Sequence, residues 1–496
     1  PGGPWTSRGV RMPDRTRSDY DLCVVGAGPA GLNATVTAGE RGLRVALVDV
    51  GVQPGGQYWR HPDERFPDTL PQPSATRRHG WREYRDLDAR LDALVRGGRV
   101  VHLAGRHVWG VHPGRPFLVR ATAAGEDADP VVVHARRIVL ATGAYDRQLP
   151  VPGWTTPGVM AAGGVQALLA GHHVRAGRRV VVAGTGPFLL SVAAGLAEAG
   201  AEVVAVCEAN ALTGWAAHPL RTLQEPGKLV EGAGYVTTLL RHRVPFRTRT
   251  VITAVHGTGR VTGATLRRVD RRGRARAGSE ERVDADLVAL GWGFIPQLEL
   301  AVGVGAATRV DVDGSLVAVV DDDQRSSVSG VYLAGEVTGV GGAVQSGAEG
   351  ALAGLTAAAD AGRADDPRLR ARLRRRIARA HRFAVAMHRA SSVPVDWPTW
   401  LADDTLVCRC EEVDTGTVRA AVRDLAADDP RDVRVTARPG MGMCQGRMCG
   451  FALSCLVSVE TAVTPAAADL ASLATRPLAT PVRLAELAEM ADGEEG

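Results

Sequence analysis

Four cysteines near the C-terminal end carry the densest chemistry in this sequence. Cys408 and Cys410 form a C-x-C pair in VCRCEEV, and Cys444 and Cys449 a C-x4-C pair in GMGMCQGRMCG. The first pair puts two sulfurs on one short turn, and the second supplies two more from another loop. Thirty-three residues lie between the pairs, enough for a helix or two that folds the loops together. Four thiolates suit structural zinc or a 2Fe-2S cluster. Zinc ribbons favour C-x2-C knuckles, a spacing that neither pair has. The glycine-rich second loop also offers backbone N–H groups to sulfur, which stabilise a cluster's added electron. Iron–sulfur is therefore the favoured reading, and a zinc-bearing scaffold the alternative. Cys23, Cys207 and Cys455 lie in apolar runs and read as buried small hydrophobes. This usage fits a reducing cytoplasm, where clustered thiols mean metal more often than disulfide.

The elements that must position such a centre begin far upstream. DLCVVG (21–26) reads as a strand, GAGPAGLNATVTAGERG as a turn and helix, and LRVALVDV as a strand reaching Asp49. In this β-α-β unit Gly26 permits the tight turn and Gly28 lets backbone approach a pyrophosphate. Gly31 lets the helix pack close on the strand. The helix N-terminus at Pro29 and Ala30 faces the phosphates, and Asp49 can accept from ribose hydroxyls. Gly55, Gly56 and Gln57 in VQPGGQYWRHP allow a further close approach to a ligand. His61 beside them is a candidate acid or base, though a lone surface histidine is more often just polar.

A helix is expected over 75–100, strands over 100–123, and a buried strand ending in Ala141, Thr142 and Gly143. A second β-α-β unit spans 178–210, with Gly184, Gly186 and Glu208 in the corresponding places. Leu189 stands where the third glycine belongs and is expected to hold the helix off the strand. A working adenine-nucleotide site and a degenerate one both stay open. Residues 211–285 read as strands and a charged hairpin, RRGRARAGSEER, taken as a solvated turn. The strand over 328–336 ends in Gly335 and Glu336, where an acid can hold a ribityl hydroxyl. The helix that follows near Ala343 can face the pyrimidine edge of a flavin. A strongly basic helix over 365–389 carries Leu369, Leu373, Ile377 and Met387 on one face and reads as a link between domains.

The chain of 496 residues is long enough for two to four domains. Apolar residues make up 45% and charged residues 23%, ordinary for a globular protein. A net charge of +5 over this length, carried by Arg without interleaved aromatics, argues against nucleic acid. No apolar run reaches the roughly 18 residues of a membrane span. The first 18 residues lack an apolar core and read as a disordered lead-in, with Met12 a candidate start.

The first fingerprint, the ATG at 141–143 and LAGE at 333–336 resemble the two-dinucleotide-domain flavoproteins of the glutathione and thioredoxin reductase class. The match runs over about residues 20–360 and implies FAD on the first domain and a nicotinamide nucleotide, NAD, on the second. The disulfide reductases themselves lack a match here, because no C-x4-C follows the first unit and no C-x2-C sits in the second. The cysteine region resembles the ferredoxin-like domain of bacterioferritin-associated ferredoxin. Nearly the whole chain resembles the large flavin subunits of hydrogen cyanide synthase, opine oxidase and hydroxyproline dehydrogenase, with the α subunit of heterotetrameric sarcosine oxidase more distant.

The resemblance implies an α/β fold of two Rossmann-like dinucleotide-binding domains plus a small C-terminal ferredoxin-like domain. An FAD-binding domain is expected over 19–150 and 286–362, and a second dinucleotide domain over 151–285. A helical linker (363–400), a 2Fe-2S domain (401–465) and a tail (466–496) follow. The implied activity is electron transfer within a multi-subunit oxidoreductase acting on CH-NH or CH-NH2 donors. Its implied partners are a D-amino-acid-oxidase-like flavoprotein and a small 2Fe-2S subunit. FMN at a subunit interface and a quinone acceptor, with peripheral membrane contact, complete the expectation. A self-sufficient NADH-dependent reductase is the alternative, Glu208 then selecting against a 2′-phosphate.

Overall fold

The computed structural model describes residues 20–62, 80–124, 130–217, 219–222, 224–476 and 478–492. The lead-in falls outside them. Two five-stranded parallel sheets organise the fold. In the first, Leu22–Val25 lies between Val45–Val48 and Ile138–Leu140, with Val100–Leu103 and Val331–Leu333 at the edges. These strands read as unbroken apolar runs because both faces are covered, one by helices and the other by the antiparallel strands Arg106–His112, Phe117–Ala123 and Val131–Ala135. Their parallel registers bring Val25, Leu140 and Leu333 level, so the loops after them meet at one edge. Ligands of open parallel sheets bind at that carboxyl edge.

The second sheet runs Phe246–Thr248, Glu202–Glu208, Arg179–Gly184, Leu287–Gly291 and Val159–Ala161. Leu189 in its helix Phe188–Glu198 is buried at 1% exposure. The expected separation of helix from strand is absent. Gly291 on the neighbouring strand has no side chain, and a Cβ there would lie 2.9 Å from Leu189 Cδ2.

Several elements depart from the sequence reading. The helix expected over 75–100 is Trp81–Arg96 where described. Helices Ala162–His172 and Pro226–Arg241 are not expected from the sequence. The basic helix, Pro367–Ala390, does more than link: Leu373 packs with Ala348 and Leu352 of helix Ala343–Asp360. The arginine hairpin is not simply solvated. Arg272 and Arg274 both reach Asp396, and the Trp400 indole donates to the Gly273 carbonyl at 2.8 Å. The tail holds helices Ala467–Ala474 and Leu484–Asp492. Ala467, Leu470, Ala471 and Ala479 pack into the core of the first sheet.

The C-terminal unit is built from strands Leu406–Cys408 and Val413–Asp414 and helices Thr415–Leu425, Pro430–Ala437 and Gly450–Thr461. Its core holds Val407, Val418, Val433, Leu453 and Leu456, with Cys408 and Cys449 among them. Asp414 caps its helix by accepting from Thr417 N at 2.7 Å, and Asp429 accepts from Arg431 and Asp432.

Candidate functional site

At the carboxyl edge of the first sheet the expected residues come together. The fingerprint helix, Pro29–Glu40, crosses helix Ala343–Asp360 at backbone contact. A Cβ on Gly31 would sit 1.7 Å from the Gly26 carbonyl oxygen, and one on Gly350 1.9 Å from that of Ala30. Only glycines allow this approach, which sets Gly335, the residue before Glu336, beside Ala30. Across the crevice, a Cβ on Gly26 would lie 2.3 Å from the Ala141 carbonyl oxygen. The loop at 52–57 folds back so that Gly55 N donates to Ala27 O at 2.8 Å and Gly56 faces Gly28.

Asp49 accepts from Ala27 N and Gly51 N, both at 3.1 Å, and thereby fixes the turn. Thr142 donates its hydroxyl to Gln297 O at 2.8 Å, and Gly143 O accepts from Gln297 N at 2.9 Å. Gln57 is exposed, its side-chain oxygen accepting from Arg60 at 2.6 Å. His61 is held by Trp59 O at 2.8 Å and packs on Trp81 and Tyr84, so its place in the fold is that of an aromatic packing group.

Two buried carboxyls lie at this edge. Glu336 Oε1 accepts from Gly342 N at 3.0 Å, while Glu336 Oε2 and the neighbouring Gln345 Oε1 are buried without a partner. Glu349, which no sequence motif marks, accepts from Gly335 N, the Thr338 hydroxyl and Gln345 Nε2 at 2.8–2.9 Å. An orphaned carboxylate oxygen beside a glycine-cleared phosphate turn fits a polyhydroxylated dinucleotide such as FAD, whose ribityl hydroxyl would donate to it.

Burial pushes both carboxyls up to about 7, Glu336 with a further push from Glu349. The folded state then holds protons that the unfolded chain releases near its ordinary carboxyl range. These two carboxyls therefore contribute stability that is fully present below about pH 4.5 and is lost as pH rises through about 7. Glu349→Gln is expected to make the pH dependence over this range less negative, since one of the two proton-holding carboxyls is gone and its push on the other is lost. A series of Tm measurements from pH 4.5 to 7.5 checks it, and an unchanged slope would contradict the assignment.

The second turn repeats the first in outline. Glu208, 6% exposed, accepts from Gly186 N at 2.7 Å and from Asn210 N at 2.9 Å. The Asn210 side-chain amide also donates to it, at 3.2 Å.

The four C-terminal cysteines form two facing pairs. Cys408 meets Cys449 within the core, and Cys410 meets Cys444 toward the surface. The hydrogen bond from Cys449, with the N–H groups of Gly440, Glu411 and Cys410, holds the Cys408 thiol down to about 5. Gly440 N reaches its sulfur at 3.4 Å. Cys449 is pushed up in exchange, through its bond to Cys408 and its burial. Among the described residues no three His, Cys, Asp or Glu side chains are closed into a metal cage. The donor set still fits a thiolate-bound centre: four sulfurs on two loops, a backbone N–H on one of them, and no disulfide. The second loop lies hard against the first, as a Cβ on Gly442 would fall 2.3 Å from that of Cys410.

What ties the two centres together is visible only in the fold. Arg447, inside the C-x4-C loop, pairs with buried Glu299 at 2.6 Å and stands over the Tyr145 ring at 5.9 Å. Tyr145 follows Gly143 by two residues, so the cysteine loop rests on the strand that leaves the first site. Arg147, just past that strand (Ala144–Asp146), stacks on Phe451 at 4.1 Å, and Trp154 donates to Leu406 O at 2.7 Å. No local pattern marks a salt bridge between residues 148 apart. Only an arginine between two metal-type cysteines could have raised the question.

A family model described as pyridine nucleotide-disulphide oxidoreductase matches residues 20–362. An opine oxidase subunit of Agrobacterium tumefaciens is 31% identical, over 98% of this chain and 94% of its own length. Hydrogen cyanide synthase subunit HcnB of Pseudomonas aeruginosa is 29% identical, with 86% and 90% covered. L-Proline dehydrogenase from P. horikoshii has the same fold, at TM-score 0.65 and 19% identity over 95% of this chain and 79% of that one. No helix among the described residues is long and apolar enough to cross a membrane. The chain therefore belongs to the pyridine nucleotide-disulphide oxidoreductase family, as a flavoprotein oxidoreductase, and within it to the group that includes the opine oxidase subunit.

Proposed function

We propose that this chain is the electron-transfer subunit of a multi-subunit amine or amino-acid dehydrogenase or oxidase working in the cytoplasm. FAD would be held by Gly26, Gly28, Gly31, Asp49, Thr142 and Glu336, and a 2Fe-2S cluster by Cys408, Cys410, Cys444 and Cys449. Bound FAD supplies two-electron chemistry and the cluster one-electron chemistry. The relatives' names, subunits of oxidases and synthases, support a partner that does the amine oxidation. A D-amino-acid-oxidase-like flavoprotein, an FMN between subunits and a small 2Fe-2S subunit belong to the same reading. So does the division into FAD-binding, second dinucleotide, linker and cysteine segments set out from the sequence.

The observation that carries the reading is the seat of the C-x4-C loop. Arg447 lodges it between Glu299 and Tyr145, next to the loop that closes the FAD crevice. Glu299 is only 8% exposed, so this charge pair is shielded from solvent and geometrically tight. Such a fixed seat suits a relay, in which the distance between two redox groups must not wander.

The test is metal analysis and low-temperature EPR on the intact chain purified without oxygen. About two irons per chain and a signal that appears on reduction are expected. Stoichiometric zinc with no reducible signal would replace the relay by the scaffold reading.

A further inference from the structure

We propose that the second dinucleotide fold takes no nucleotide, and that its pyrophosphate lane is filled by the chain's own Ala390–Ser392 turn. In a working fingerprint the second glycine is bare so that a pyrophosphate can lie against it. Here that residue is Gly186, and the atoms facing its missing side chain are Ser391 Cβ at 3.7 Å and Ser391 Oγ at 4.0 Å. At the first turn the residue facing Gly28 is another glycine, Gly56, with its Cα at 3.9 Å and no side chain. One lane is kept clear by two glycines, whereas the other is blocked by a serine.

The ribose side resembles that of the first fold, where Asp49 is likewise engaged by backbone N–H groups, and differs in being tied to the same turn. Glu208 spends one oxygen on Gly186 N and the other on both the backbone and the side chain of Asn210. Asn210 in turn donates to Ser392 O at 2.9 Å, tying the ribose end of the fold to the same turn. A Cβ on Gly214 would lie 3.2 Å from Ala390 Cα, so the next loop is seated there too. Farther along the basic helix, Phe383 stacks on Trp215 at 5.9 Å and Arg382 donates to Gln224 at 2.7 Å. The lane of the second fold is thus a socket for the helix that leads to the cysteine unit. Segment 391–400 then runs on to Asp396 and Trp400, which the 270–276 turn grips.

The socket stands on geometry alone. Its consequence, that electrons come from a protein and not from NADH, rests on the relay reading.

The test titrates NADH into the full FAD-loaded chain, followed by NADH fluorescence and, without oxygen, by flavin absorbance. No saturable binding up to about 1 mM is expected. A Kd tighter than about 100 μM would overturn the proposal. If NADH bound without bleaching the flavin, the socket would fail and the relay would stand. If it bound and bleached the flavin, both would fail. A variant, Ser391→Trp, tests the seat directly. A filled lane has no room for an indole, so Tm should fall by about 5 °C or more. An unchanged Tm would mean that the segment does not sit on Gly186, which also overturns the proposal.

Discussion

Cys408→Ser is expected to give a folded chain with its full FAD but roughly tenfold less iron, and with no EPR signal on reduction. Cys408 is the sharpest of the four positions for this test. It is buried at 1% exposure, it faces Cys449, and it receives the Gly440 N–H. A hydroxyl is too weak an electron donor and too hard to ionise to replace a thiolate at iron. The substitution conserves shape, so the core around Val407, Val433 and Leu456 should survive. The flavin site lies on other elements and should be untouched. Iron retained at the original level would show that the four cysteines do not hold it. Loss of FAD together with iron would show a coupled collapse instead.

The second large effect is expected at the helix crossing. Gly350→Val should leave a chain with less than about a tenth of its FAD and a much lower Tm. A single added carbon would lie 1.9 Å from the Ala30 carbonyl oxygen and 2.7 Å from Ala30 Cα, which are backbone atoms and cannot rotate away. Overpacking a core ordinarily costs about 1–3 kcal/mol, and a collision with backbone belongs at or above the top of that range. The displaced helix starts at Ala343, and Gly342 just before it holds Glu336, so binding and folding fail together. Gly234→Ala is the control, because nothing lies within 4 Å of its Cβ position. It should be neutral or stabilise by about 0.5–1 kcal/mol, since alanine is the better helix former. Flavin absorbance at purification and a thermal melt read both variants. A Gly350→Val protein with full flavin would show that the crossing does not shape the site.

Strong local signals account for what is legible from residue order. Each β-α-β unit pairs an apolar strand with a glycine turn and an amphipathic or small-residue helix within about thirty residues. The period of the pattern and the turn chemistry then agree. The cysteine pairs are legible for the same reason, because each pair sits on one short loop. Helix Ala162–His172 escapes because its sequence, AGGVQALLAGH, has two early glycines and no polar cap. Helix Pro226–Arg241 carries three glycines, a composition that argues against a helix until helix Phe188–Glu198 is present to pack on. The close seat of Leu189 is hidden because the residue that makes room for it, Gly291, lies 102 positions away.

The amino-acid order by itself determined the local pieces: where the glycine turns of the two β-α-β units fall, which strands must be buried, and that two cysteine pairs sit on two short loops. These follow from residues a few positions apart, where steric and hydrogen-bonding rules act directly. Only the tertiary structure decided how the pieces serve one another. It paired Arg447 with Glu299, buried Glu336 Oε2 without a partner, and set Ser391 against Gly186. Such contacts depend on where whole sheets and helices come to rest, and that is fixed by burial of surface across the entire chain rather than by any short pattern.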